Sequence, residues 1–234
     1  MDQRPLVSVV VPVYNRGSTL PHCLKSILNQ SFKDFELWII DDGSTDNTAQ
    51  VFHNFKDPRL KYFYQANQGV SVARNRGIGL ALGDFIAFCD SDDFWEPKKL
   101  EAQLALLEKE KTLWVHSQEI WIRNQIRVNP HKKHAKPQGR IYLSCLPLCV
   151  VSPSSVVIHK NIFKQVGLFD PFLTVAEDYD LWLRIASQFE ISLAPQFLIT
   201  KTGGHQDQLS RTFIGMDKFR VRALKKQLFS PFLS

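Results

Sequence analysis

Three carboxylates fall within four residues at Asp90-Ser91-Asp92-Asp93, directly after the short apolar run Phe85-Ile86-Ala87-Phe88. Such a run reads as a buried strand. Like charges at its end repel one another, and each needs hydration or a partner. A divalent cation meets that need: Asp90 and Asp92, one residue apart in an extended turn, can face one ion. Oxygen donors suit Mg²⁺ or Mn²⁺, ions that usually serve a substrate phosphate. The competing reading is a helix cap, with Asp92 or Asp93 as N-cap before Pro97-Lys98-Lys99-Leu100. Two further acidic pairs stand at element ends. Asp41-Asp42 closes the run from Phe35 to Ile40. Glu177-Asp178 opens a helical stretch, where acids are also favoured by the helix dipole.

The elements that would position these groups alternate in type. Leu6 to Val13 reads as a central strand. It is followed by the turn Tyr14-Asn15-Arg16-Gly17-Ser18 and a helix capped by Ser18 or Thr19, whose apolar face is Leu20, Cys23, Leu24, Ile27 and Leu28. Phe35 to Ile40 is a second strand, and Asp46 is the expected N-cap of the next helix. Arg59 to Tyr64 is a third strand, and Val70 to Leu82 a helix closed by Gly83. This alternation predicts an α/β domain whose sheet is mainly parallel and covered by helices on both faces. In such sheets ligands sit at the carboxyl ends of strands, so Tyr14-Asn15, Asp41-Asp42 and Asp90-Ser91-Asp92 should meet in one crevice. The G-x-G at Gly77-Ile78-Gly79 lies inside a helical stretch and does not follow the first strand. It is read as helix packing, not as a dinucleotide fingerprint. Further on, Pro97 to Lys111 is expected as helix, Thr112 to Ile122 as strand, and 123–140, with two prolines and a glycine, as an irregular loop. Ser154 to His159 and Gln196 to Thr200 are expected strands, and Phe213 to Phe229 a closing amphipathic helix.

A chain of 234 residues suffices for one domain with a full core. No apolar run approaches the ~20 residues of a membrane span, and the N-terminus does not read as a signal peptide, so a cytoplasmic protein is expected. Four cysteines make no disulfide framework at this length and are expected in the core. The net charge of +6 is uneven: residues 123–140 carry +6 and residues 217–226 carry +4, leaving the remainder at −4. That is an acidic body with two basic appendages. With no helix-turn-helix, zinc-finger or aromatic RNA-binding signature, nucleic-acid binding is not expected.

Taken together, Val11-Pro12-Val13-Tyr14-Asn15, Ile39-Ile40-Asp41-Asp42-Gly43-Ser44-Thr45-Asp46, Ala73-Arg74-Asn75, Asp90-Ser91-Asp92-Asp93 and Glu177-Asp178 resemble the family 2 glycosyltransferases of GT-A fold, in order and spacing. The resemblance covers residues 6–205. It implies a single Rossmann-like domain: 1–111 for the nucleotide sugar, 112–212 for acceptor and catalysis, and 213–234 as a C-terminal helix. It implies an inverting, metal-dependent hexosyl transfer from a nucleotide-diphosphate sugar to a glycan or lipid-linked acceptor in cell-surface polysaccharide synthesis. Pro12, Tyr14 and Asn15 would surround the nucleoside, and Asp41 would read the base edge, with uridine favoured. Arg74 would hold the nucleotide. Asp92 would be the main ligand of Mn²⁺ or Mg²⁺, with Asp90 beside it near the ribose. His205 would contact metal or phosphate, and Asp178 would be the general base. The alternatives are a nucleotidyltransferase-like enzyme, whose Gly-rich loop is not matched by Tyr14-Asn15-Arg16-Gly17, and a sugar-nucleotide binder without turnover. The basic segments imply a peripheral association with an anionic membrane surface at the inner face.

Overall fold

A computed structural model describes residues 4–128, 131, 134–204 and 215–229. Apolar, largely β-branched residues make Val7–Val13 (β1) a strand buried along its whole length. It lies between β2 (Phe35–Asp42) and β4 (Phe85–Phe88), parallel to both, and β3 (Leu60–Gln65) extends the parallel half beyond β2. The second half is mixed. β8 (Val157–His159) joins β4 and β6 (Trp114–Arg123) antiparallel. β9 (Ser192–Gly203) runs parallel to β6, and β5 (Phe94–Trp95) closes antiparallel on β9. The order is β3-β2-β1-β4-β8-β6-β9-β5, one sheet with β7 (Ile126–Val128) hanging from β6.

Alternation along β1 divides the core in two. Val7, Val9, Val11 and Val13 pack with Leu20, Leu24 and Ile27 of α1 (Leu20–Leu28) and Leu100 and Leu107 of α4 (Lys99–Glu110). Val10 faces the other way, in a cluster with Ala73 of α3 (Val70–Leu80), Ile162 and Phe163 of α6 (Asn161–Val166), Trp182 of α7 (Glu177–Ala186) and Ala223 of α8 (Asp217–Leu228). Both faces are therefore covered, as the alternation predicts. Among the described residues no helix is long and apolar enough to cross a membrane. Cys23, Cys89 and Cys145 are buried and all four thiols are free, the core placement expected of them.

Several local expectations need correction. The 123–140 segment is not wholly irregular: β6 turns through Asn124 and Gln125, at φ 48 and 64, straight into β7. Two successive residues at positive φ make the hairpin turn that matches strand twist, and Asn-Gln is a weaker signal for it than Asn-Gly. β9 is far longer than Gln196–Thr200 because it bulges between its pairings with Ser117 and Glu119, absorbing Pro195. Gly83 is not a helix stop. α3 ends at Leu80, and a Cβ at Gly83 would lie 2.6 Å from the Ser8 nitrogen, so its role is close passage of β1. Gly77 does the same for α3, where an added Cβ would meet Val10 Cγ1 at 2.3 Å. α2 (Thr48–His53) starts two residues after Asp46, yet the Asp46 carboxylate still accepts the Thr48 amide at 2.9 Å.

Candidate active site

The capping alternative for the acidic cluster fails on geometry. α4 begins at Lys99, and Asp93 is committed elsewhere. Its Oδ2 accepts the Ser154 hydroxyl at 2.6 Å and its Oδ1 accepts the Thr202 amide at 3.0 Å, tying the end of β4 to β9. Burial holds its carboxyl well above the usual range, with Lys201 opposing. Ser154 also accepts the Asp90 amide at 3.0 Å, and the Thr202 hydroxyl donates to the Asp92 carbonyl. The turn is thus fixed by its backbone and by Asp93, which leaves the Asp90 and Asp92 side chains for other work.

Asp90 meets Arg74. The guanidinium, 3% exposed, donates from Nη2 to Asp90 Oδ1 at 2.8 Å and from Nη1 to Glu177 Oε1 at 2.5 Å, and lies 5.2 Å from the Phe169 ring centroid. Close packing at Gly77, one turn further along α3, sets this helix low enough on β1 for Arg74 to reach the strand ends. Burial opposes its charge, but Asp90 and Glu177 outweigh burial and raise its pKa. One cation shared by two carboxylates does not satisfy both: burial pushes Glu177 up to about 7 in spite of Arg74.

Asp178 follows Glu177 on α7 and is half-buried. Ala176, in the left-handed region at φ 60, sets the entry to this helix, a conformation that costs on the order of 1 kcal/mol for a residue with a Cβ. One Asp178 oxygen accepts the Tyr179 amide at 2.7 Å, and the other lies 3.6 Å from Cys149 Sγ. Burial, with Asp178 adding to it, holds that thiol well above its ordinary pKa, so it is a neutral neighbour.

Lys201 of β9 completes the ring. Burial works against its ammonium, but Glu119, Asp93, Asp90 and Asp178 surround it and raise its pKa. Glu119 is itself held by Lys136 at 2.7 Å and by the Ser152 hydroxyl. Lys136, from the basic 123–140 segment, is therefore a buried structural cation and not part of an outer patch. Sequence reasoning did not single out Lys201, Ser154 or Cys149, and no local motif marks them. Only the return of β9 beside β6 brings Lys201 in.

Asp92 is half-buried, and burial together with the Asp90 charge pushes its carboxyl upward. A cation relieves that penalty, and the donor set, two carboxylates, fits a hard ion. Among the described residues no group of three or more His, Cys, Asp or Glu is placed to hold a metal. His205 lies outside the described residues. Beside Asp92 opens a cleft of about 480 Å³, walled by His22, Phe94, Ile122, Asn124 and Thr202.

On the β1–β2 side, Pro12 is buried in β1 and Tyr14 is 47% exposed at its end. Asn15, at φ 52, accepts the Thr45 amide at 2.8 Å on its side-chain oxygen and so clamps the two loops together. Asp41 is buried, accepting the Ser44 amide at 2.8 Å on Oδ1 and the Tyr62 hydroxyl on Oδ2. Asp42 holds the entry to α3 through the Gln68 and Gly69 amides at 2.9 and 2.7 Å. The ends of β1, β2 and β4 thus carry the polar groups expected of them, with Arg74 and the start of α7 added to the β4 group.

A mainly parallel sheet covered by helices, with carboxylates at its strand ends and a half-buried acid at the start of α7, is the architecture of a GT-A-type α/β protein. The glycosyl transferase family 2 signature matches residues 8–167. The chain belongs to that family. A β-1,3-glucosyltransferase of Escherichia coli, WfgD, is 33% identical over 95% of this chain and 83% of its own length. An uncharacterized glycosyltransferase of Rickettsia conorii is 33% identical over 92% of this chain, which spans 35% of that relative's length. Among solved structures, S. aureus TarS in complex with UDP-GlcNAc superposes with a TM-score of 0.80 at 23% identity, over 94% of this chain and 64% of its own. The mannosyltransferase PcManGT of Pyrobaculum calidifontis gives 0.74 at 17% identity, over 98% of this chain and 66% of its own. At these identities the two structures speak to fold.

Proposed function

We propose that the chain transfers a hexose from a nucleotide-diphosphate sugar, uridine favoured, to a hydroxyl of a glycan or lipid-linked acceptor, inverting the anomeric centre, in cell-surface glycan synthesis. The observation that carries this reading is the division of labour among five neighbouring acids. Asp93 holds the backbone turn, Asp90 and Glu177 share Arg74, and Asp92 stands beside Asp90 with its side chain uncommitted to Arg74. Asp178 is left half-exposed with no ion pair within the described residues. The relatives lend support. WfgD and WfaP of Escherichia coli are named for transfer from UDP-Glc to a GlcNAc-diphosphoundecaprenol, and PcManGT was solved with GDP-Man and Mn²⁺.

In this reading 1–111 is the donor half and 112–212 the acceptor half. Tyr14 stacks the base and Pro12 and Asn15 shape its loop, while Asp41 accepts a base N–H on a remaining lone pair. Arg74 orients Asp90 toward the ribose. Asp92 and Asp90, with His205, would hold Mn²⁺ or Mg²⁺, which would supply charge neutralisation on the leaving diphosphate. Asp178 takes the proton of the acceptor hydroxyl as its oxygen bonds to the anomeric carbon and the carbon–phosphate-oxygen bond breaks. One displacement inverts the centre without a covalent enzyme intermediate. The chain works at the cytoplasmic side, peripheral to the inner membrane face.

The test is a sugar-nucleotide panel with Mn²⁺, reading binding by calorimetry and turnover by nucleotide release. Wild type binds and turns over one donor class. Asp178→Asn binds that donor as well but loses roughly 10²–10⁴-fold in transfer. Wild-type transfer by that variant would remove Asp178 as base.

A further inference from the structure

Helix α8 carries two kinds of surface, and they are not the two its sequence pattern predicts. The apolar positions Ile214, Val221, Leu224 and Leu228 read as the docking stripe, with Lys218, Arg222, Lys225 and Lys226 as a solvated arc. Ile214 lies outside the described residues, and the rest of the pattern is rotated. The docked face is Phe219, Arg220, Ala223, Leu224, Lys226 and Gln227, so Leu224 docks as expected while Val221 and Leu228 do not. Ala223 and Gln227 are buried, and Arg220 lies over the Tyr179 ring. Lys226 is paired with Asp170 at 2.8 Å and Asp180 at 2.7 Å. Three ion and ring contacts onto α7 and its preceding loop thus join the apolar contacts of Phe219, Ala223 and Leu224.

That rotation turns Val221 and Leu228 outward, 48% and 77% exposed, with Phe229 at 88%. Lys218, Arg222 and Lys225 are exposed on the same outer arc. Its one acid, Asp217, is bridged to Arg220 at 3.3 Å. Arg222 also donates to the Phe172 carbonyl, and the Phe172 side chain beside it is 75% exposed. An exposed face that mixes three bulky apolar side chains with three exposed cations has the chemistry of an interfacial helix. Charge complementarity selects its occupant, since apolar groups alone would fit any hydrophobic partner.

We propose that the outer face of α8, with Phe172, seats on an anionic lipid bilayer: Lys218, Arg222 and Lys225 against phosphate headgroups, and Leu228, Phe229 and Phe172 dipping into the headgroup–acyl boundary. The docked face of α8 lies against α7, so this seating orients the Glu177–Asp178 end of the chain relative to the membrane. The inference rests on the peripheral placement proposed above, for which it names the surface, and does not depend on the transfer chemistry.

The probe is sedimentation of the full chain with vesicles of phosphatidylcholine alone, or of phosphatidylcholine with phosphatidylglycerol, at low and high salt. Pelleting with the anionic vesicles at low salt is expected, weakened by salt within the Debye regime. Each basic group near such a surface is worth about fivefold, so the triple change Lys218→Ala, Arg222→Ala, Lys225→Ala should reduce partitioning on the order of a hundredfold. Leu228→Ser with Phe229→Ser should weaken the salt-resistant remainder. Both variants should melt as wild type, because none of these side chains is buried. No pelleting by wild type, or pelleting that survives the triple change, overturns the proposal. A concentration-dependent dimer abolished by Leu228→Ser overturns it too, in favour of a second copy as occupant. Nucleotide binding measured on the same variants stays at wild type, so a failure of the transfer reading remains a separate result.

Discussion

Replacing Arg74 by methionine removes one buried cation from between two carboxylates. The side chain keeps much of its volume, so the loss is electrostatic. Two charge-assisted hydrogen bonds go, at 2.8 Å to Asp90 and 2.5 Å to Glu177, from a guanidinium that is 3% exposed. Breaking a buried pair by deleting one partner costs about 3–5 kcal/mol, because the other charge stays stranded. A second route gives a similar size. Without Arg74, Glu177 protonates, and holding it neutral at pH 7 against an ordinary value of 4.5 costs up to about 3.4 kcal/mol, at 1.36 kcal/mol per unit. For a chain of this length, 3–5 kcal/mol lowers the melting temperature by roughly 6–20 °C. The pH dependence has a definite sign. A carboxyl raised in the folded state binds more protons there, so its penalty is absent below pH 4.5 and grows as pH rises toward 7. The Arg74→Met deficit should therefore shrink between pH 7 and pH 4.5. Adding Glu177→Gln should restore about half of the deficit at pH 7, since a neutral amide needs no cation. Calorimetric melting of the two single variants, the double and wild type closes the cycle. An Arg74→Met protein that melts within a degree or two of wild type at pH 7, or a double variant no better than the single, would refute the shared-cation account.

Two further outcomes follow from the same geometry. Asp92→Asn should weaken nucleoside-diphosphate binding in Mn²⁺ while leaving nucleoside binding alone; equal calorimetric affinity with chelator and with metal in wild type would sink the metal assignment. Lys99 is fully buried, donating to Gln103 Oε1 at 2.7 Å over the Trp95 ring, and burial lowers its pKa to about 7. A lysine lowered from 10.5 binds fewer protons folded than unfolded between those values. Its penalty, at most about 5 kcal/mol, is therefore full below pH 7 and gone by pH 10.5. Lys99→Met should accordingly raise the melting temperature most at pH 6–7, and an advantage that stays constant up to pH 10 would show that Lys99 is not neutralised by burial.

The parallel half of the fold was legible because its signals are local. β1 is apolar along its length, Asp41-Asp42 and Asp90-Ser91-Asp92 mark strand ends, and α1 shows a 3.6-residue stripe. Those signals alone mark the ends of β1, β2 and β4 as polar, although the cleft found touches only Asp92 among them. The mixed half was not legible in the same way. β5 is two residues long, β9 carries a proline through a bulge, and the β6–β7 turn lacks glycine, so each falls below what a local pattern can register. The site divides along the same line. The aspartates announce themselves by spacing, whereas Lys201, Ser154 and Thr202 reach Asp90, Asp92 and Asp93 only through pairings far apart in the chain. α8 was read only in part for another reason: Leu224 docks as expected, but Lys226 and Arg220 also hold the inward face, and a hydrophobic pattern cannot see docking by charge.

The arrangement around Arg74 also bears on how two half-sites act together. α3 belongs to the parallel half and α7 to the mixed half, and the guanidinium is the direct ion-pair link between an acid at the end of β4 and the acid beside Asp178. A ligand or ion that draws on Asp90 would loosen its hold on Arg74, and the guanidinium would then fall more fully to Glu177. That would pull Glu177 down from about 7 and add a negative charge next to Asp178. Glu177 would then give up its proton near neutral pH as the donor side fills. Ligand binding at pH 7 should therefore release a proton, read by calorimetry in buffers of different ionisation enthalpy, and Glu177→Gln, which has no such proton to lose, should abolish that release. Proton release unchanged by Glu177→Gln would mean that the two halves share Arg74 for stability alone.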